Sequence, residues 1–138
     1  MTWLGYACVS AVSAAVTTIL AKVGIEGVPS NLGTAIRTVV ITVFAWTIVG
    51  ATGEHRALAG ISRRSVVFLV LSGVGTGISW LAYFRALQLG PASRVSPIDK
   101  LSLPLTIVLA ALVLGESVSW KLGVGVTLMT IGAVLTIS

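Results

Sequence analysis

The sequence predicts an all-α integral membrane protein of five transmembrane helices, on three observations. Of the 138 residues, 56% are hydrophobic and 9% charged, against roughly 25% charged in an ordinary soluble domain. Mean hydropathy is +1.05. The chain also divides into five apolar runs near the ~20 residues that cross a hydrocarbon core of about 30 Å, with almost nothing left over. Residues 1–138 are therefore expected to form a single transmembrane domain.

The runs read from about Trp3 to Ala21, Leu32 to Gly50, Val66 to Leu87, Pro97 to Leu114 and Leu122 to Ile137. Charges and turn residues gather between them, in VGIEGVPSN, TGEHRALAGISRR, QLGPASRVS and GESVSWK, where hydropathy breaks. The runs are Gly-, Ala- and Leu-rich and continuously apolar, which excludes the alternating pattern of a membrane barrel strand. The amino terminus MTWLGYACVS has no charged region ahead of its apolar run, so the first run is read as a retained helix rather than a signal peptide.

Charge narrows the partners. The net charge is +5, but the basic residues lie in short loops and helix ends rather than on a soluble face. Nucleic acid is excluded on that ground, and anionic lipid headgroups are the expected counter-charge. The single Cys8 has no intrachain partner and reads as a small apolar filler.

Orientation follows from the basic residues. Arg56, Arg63, Arg64 and Lys121 fall on the side of the amino terminus; Lys22 and Arg94 fall in loops opposite, with Arg37, Arg85 and Lys100 just inside helix ends there. Counting loops alone favours a cytoplasmic amino terminus, and counting helix ends nearly balances the two sides. A balance of this kind permits insertion both ways. Many transporters are built from inverted repeats around a midplane site, and a five-helix unit inverts when a second copy follows it.

The stretch SPIDKLSLPL, residues 96–105, places charge and two prolines at the mouth of an apolar helix. Ser96 is expected to cap that helix, with Pro97 in the first helical position and Asp99 answering the free N–H groups. Pro104 removes a backbone hydrogen bond and clashes one turn back, so a helix kink with an exposed Lys100 carbonyl is expected. Lys22, Arg37, Arg85, Asp99 and Lys100 form a layer on one membrane side, with four cations against one anion. Intramembrane charges normally face a wet interior and pair with one another. Arg37 or Arg85 is thus expected to pair with Asp99, leaving a positive field suited to an anionic or zwitterionic ligand.

Trp80, Tyr83, Phe84 and Leu87 share one helical face, either a wall for a planar ligand or part of the interfacial aromatic belt, the belt fitting Tyr83 and Phe84 best, and Trp46 is read as cavity or core. Gly73 and Gly77, Gly125 and Gly132, and the stripe Ala7, Ala11 and Ala15 are read as helix-packing positions. No metal cluster, nucleotide loop or nucleophile elbow appears. Asp99 and Glu116 stand about 25 Å apart along one helix. Neither catalysis nor a cofactor is expected.

From WLAYFRALQLG onward the chain resembles the EamA-type repeat of the drug/metabolite transporter superfamily. The resemblance rests on Tyr83-Phe84-x-Ala86-Leu87, the small-residue loop, the proline-bearing helix ending in Gly115-Glu116, and Gly123 and Gly132 in the last helix. It is looser before Trp80, where Arg37 also fits. Most members carry two such repeats and this chain has one. The resemblance implies a transporter of small organic molecules, with a cavity between two repeats.

The buried carboxylate that small multidrug-resistance transporters carry in their first helix is missing, since the first carboxylate is Glu26. The expected function is alternating-access transport by a dimer, antiparallel in arrangement, in a prokaryotic plasma membrane. Arg37, Trp46, Trp80, Tyr83, Arg85, Asp99 and Lys100 are the candidates for cavity or gate. The rival reading is a non-transporting assembly or accessory subunit that pairs with another half-transporter.

Overall fold

The computed structural model describes residues 2–136, all of whose regular elements are helical. The α-helices are α1 (Trp3–Gly24), α2 (Ser30–Thr52), α3 (Arg63–Leu89), α4 (Ala92–Asp99), α5 (Ser102–Leu109) and α6 (Trp120–Leu135). A 3-10 segment, Glu54–Gly60, joins α2 to α3, and a π-helical segment, Ala110–Leu114, extends α5. Trp3–Gly24, Ser30–Thr52, Arg63–Leu89 and Ala92–Leu114 are each long and apolar enough to cross a membrane, and Trp120–Leu135 is a shorter apolar helix. The expected end of the last helix at Ile137 lies outside the described residues.

Inside hydrocarbon every polar group must be answered within the protein, and the threonines show how. On α2, the hydroxyls of Thr34, Thr38 and Thr42 donate to the carbonyls of Ser30, Thr34 and Thr38, each one turn back. Thr106, Thr127 and Thr130 do the same. Such back-bonding hides a hydroxyl without breaking the helix.

Termini follow capping chemistry. Ser62 Oγ accepts from Ser65 N–H at 3.0 Å ahead of α3, and Ser119 Oγ accepts from Leu122 N–H at 3.2 Å ahead of α6; both are N-caps. Gly115 ends the fourth span with φ 69°, its N–H reaching back to Ala110 O. The left-handed conformation explains glycine there.

The fourth span departs from expectation. It begins at Ala92, ahead of Pro97, because Pro91 holds an extended backbone (φ −70°, ψ 141°) and its carbonyl accepts from Arg94 and Val95 N–H. Ser96 is therefore a helical residue, and Pro97 lies inside α4. The helix is interrupted at Lys100–Leu101, between the two prolines. Hydrogen bonding tightens there to Lys100 N–H on Pro97 O (3.1 Å), Leu101 N–H on Ile98 O (2.9 Å) and Leu103 N–H on Lys100 O (3.0 Å). Pro104 has no N–H for the Lys100 carbonyl, and Leu103 supplies one, so that carbonyl is answered rather than exposed.

The described residues fall into two compact units, one of Leu20–Gln88 and one of the residues up to Ile19 with those from Leu89 onward. In the first, Ile25, Ser30, Thr34, Phe84 and Leu87 are buried, Leu87 completely. In the second, α6 packs against α4 and α5 and buries Ala133. The glycines read as packing positions, Gly73, Gly77, Gly125 and Gly132, have open space where a Cβ would stand. Gly33 differs, since a Cβ there would rest 3.6 Å from Ile25 Cγ1 and from Phe84 Cδ1, an ordinary contact.

Two glycine substitutions separate these roles. Gly33→Ala adds helix propensity at a site that has room, and should raise stability by about 0.5–1 kcal/mol. Gly115→Ala forces a side chain into positive φ and should lower it by about 1 kcal/mol. Thermal unfolding in detergent, followed by circular dichroism, checks both signs.

Candidate functional site

Two cavities, one in each unit, collect most of the chemistry. Within Leu20–Gln88, Pro29, Ser30, Asn31, Leu81, Arg85 and Gln88 line a cavity of about 520 Å³. Ser30 and Asn31 belong to the first turn of α2, whose N–H groups have no intrahelical partners. Arg85 and Gln88 come from the last turns of α3. Gln88 orients the arginine: its Nε2 donates to Val28 O, and its Oε1 accepts from Arg85 Nη1 at 3.1 Å. Lys22 Nζ donates to Leu87 O, answering one of the carbonyls that end α3 and adding a cation at the negative end of its dipole.

Arg37 lies about 10 Å along α2 from Ser30 at 1.5 Å per residue. Its guanidinium carbon stands 4.3 Å from the centroid of the Trp80 ring and 5.5 Å from that of Phe84. Trp80 and Phe84 are four apart on α3, so one helix face offers both rings. Within Leu20–Gln88, Arg37 rests on aromatic rings and Arg85 donates to Gln88; in the other unit Asp99 pairs with its neighbour Lys100 at 3.2 Å. Phe84 and Leu87 are core residues rather than a ligand wall, and the face of Trp80 is covered by Arg37. Tyr83 is half-buried. Trp46 is 56% exposed and lines neither cavity.

The second cavity, of about 430 Å³, lies beside the helix interruption. Ala7, Ser10, Ala11, Ala14, Ala15 and Thr18 of α1 form one wall, and Ser96, Lys100 and Leu103 form the other. The alanine stripe of α1, expected to bring backbones together, here lines open space. Small side chains allow either outcome, and Ser10 and Thr18 add the polarity that distinguishes a lined cavity from a packed seam. The Lys100 side chain is about half exposed and reaches both the cavity and Asp99. Among the described residues, no three His, Cys, Asp or Glu side chains gather as metal ligands would.

Membrane-length apolar helices with internally satisfied hydroxyls define a multi-pass membrane protein. The chain belongs to the EamA-like transporter family, which it matches over residues 1–138. It is similar to a protein of Sinorhizobium sp. described as "Uncharacterized transporter in cobO 3'region", with 46% identity over 133 residues, 96% of this chain and 94% of that protein. No solved structure matches it.

The Arg37 stack makes a quantitative prediction. A double-mutant cycle on Arg37→Ala and Trp80→Ala, read from unfolding midpoints, should give a favourable coupling of about 0.5–2 kcal/mol. Arg37→Lys keeps the charge and loses the planar group, and should recover only part of that coupling. A coupling of zero would contradict the stack.

Proposed function

We propose that the chain is one half of a secondary transporter for small organic molecules. It forms a single transmembrane domain and works as a dimer of two copies inserted in opposite orientations in a prokaryotic plasma membrane. The observation that carries the reading is the broken fourth span. Non-helical backbone at membrane depth is tolerated where it lines a cavity, and discontinuous helices commonly form substrate sites. Here the break at Lys100–Leu101 borders the 430 Å³ cavity.

In the proposed mechanism the two copies rock about a shared cavity, and Pro104 lets the fourth span bend at the neighbouring break. Lys100 meets the charged part of the substrate at the cavity by the break, with Asp99 holding Lys100 when that cavity is empty, and Arg85 offers a second cation to the cavity of its own unit. Within Leu20–Gln88, Arg37, stacked on Trp80, stiffens the packing of α2 on α3, with Tyr83 on the same helix as Trp80 and Trp46 at the lipid boundary. Cations outnumber carboxylates in this set, so the substrate is an anion or a zwitterion. No bond-making chemistry and no cofactor is needed. The open space at Gly73, Gly77, Gly125 and Gly132 leaves close-approach surfaces for the second copy.

Comparison of extracellular small-molecule profiles tests the reading, using cells that express the wild type, Lys100→Gln, Arg85→Gln or no protein. Wild type should shift the level of at least one small anion or zwitterion. Each variant should slow that shift by about tenfold, the worth of one charge-assisted hydrogen bond. A profile that responds only in cations would reject the substrate class. A flat profile, with another membrane protein co-purifying, would favour an accessory subunit.

A further inference from the structure

Three arginines close together in sequence lie outside both cavities, at the connection from α2 to α3. Arg56 sits in the 3-10 segment Glu54–Gly60, and Arg63 and Arg64 open α3. Among the described residues no carboxylate pairs with any of the three, and the first turn of α3 holds no acidic residue. Two cations at the positive end of a helix dipole are unfavourable by position; the orientation bias explains positive charge on this side, and no carboxylate among the described residues neutralises it.

The surroundings say what counter-charge fits. Side chains on a helix lean toward its amino terminus, so the Phe68 ring leans back toward the turn that carries Arg64, whose guanidinium carbon lies 5.8 Å from the ring centroid. Phe68, Val66 and Val67 are exposed apolar residues of the same membrane span. The Arg64 guanidinium therefore stands at the edge of the hydrocarbon, with exposed apolar side chains on the next turn of the same span. A ligand that brings negative charge to that level and hydrocarbon below it is an anionic phospholipid. A guanidinium matches phosphate oxygens bidentately, as an ammonium does not.

We propose that Arg56, Arg63 and Arg64 form a binding site for the headgroup of an anionic phospholipid, with Phe68 packing on its acyl chains. The site is independent of the substrate pathway and of the dimer's orientation. It clamps the connection between the second and third spans at the membrane surface.

Native mass spectrometry of the purified protein in detergent tests this, by titration with phosphatidylglycerol and with phosphatidylcholine of the same chains. The wild type should bind phosphatidylglycerol about tenfold more tightly, a preference in keeping with a few juxtamembrane arginines. The triple variant Arg56→Gln/Arg63→Gln/Arg64→Gln should lose the preference while keeping its helical circular dichroism. Should that variant fail to fold, Phe68→Ala and the triple Arg→Lys change provide the reading. Both should weaken phosphatidylglycerol binding, and the lysine variant should keep part of the preference. Equal binding of the two lipids by the wild type, or an undiminished preference in these variants, would overturn the proposal. Displacement of the lipid by an equal concentration of inorganic phosphate would overturn it in favour of a free-phosphate site.

Discussion

Every backbone N–H and C=O inside a hydrocarbon core must find its partner within the protein, and the rest of this structure depends on that requirement. It makes each span a helix and turns the threonine hydroxyls back onto carbonyls one turn away. It also limits where a span can be broken. Pro97 and Pro104 each lack a donor, and the chain closes the resulting gap with tighter turns at Lys100–Leu101 instead of leaving the Lys100 carbonyl open. That repair shortens the hydrogen-bonded ladder locally without exposing it, and it places Lys100 beside a cavity lined by small residues of α1.

The treatment of charge is consistent with the same economy. Arg37 rests on two rings, Lys22 on the Leu87 carbonyl and Arg85 on the Gln88 amide. The rings beside Arg37 lower the cost of holding a cation near the membrane while leaving its field in place. Asp99 is the exception, and its partner Lys100 is the cation that reaches the cavity by the break. In the proposed transporter a carboxylate or phosphate on the substrate would compete with Asp99 for that ammonium.

Much of the fold was legible because hydropathy reports burial in lipid directly: five apolar runs became helices, and the junction composition marked their ends. The start of the fourth span was not. Ser96, Pro97 and Asp99 satisfy every capping rule, yet Gly90-Pro91 upstream offers an equally good extended start, and local rules do not rank the two. Arg37 was legible as important but not its partner. Opposite charge pointed to Asp99, whereas the four-residue spacing of Trp80 and Phe84 carried the answer, since two rings on one face accept a guanidinium. The stripe Ala7, Ala11 and Ala15 announced only that something comes close or nothing does. Separating these needs the opposing wall, which comes from residues some eighty positions away in the sequence.

In the proposed transporter a single five-helix unit supplies one wall of the pathway, and the proposal requires a second copy in the opposite sense. Nearly balanced basic residues on the two sides make both insertions accessible to one sequence. The most direct test is dual labelling of intact cells with an impermeant maleimide. It uses single cysteines His55→Cys, between the second and third spans, and Thr136→Cys, after the last helix, each in a Cys8→Ala background. The account predicts that each site is labelled in two populations of comparable size, one reached from outside and one only after the membrane is opened. Labelling of each site from one side alone would contradict it and would require a parallel dimer or a different partner.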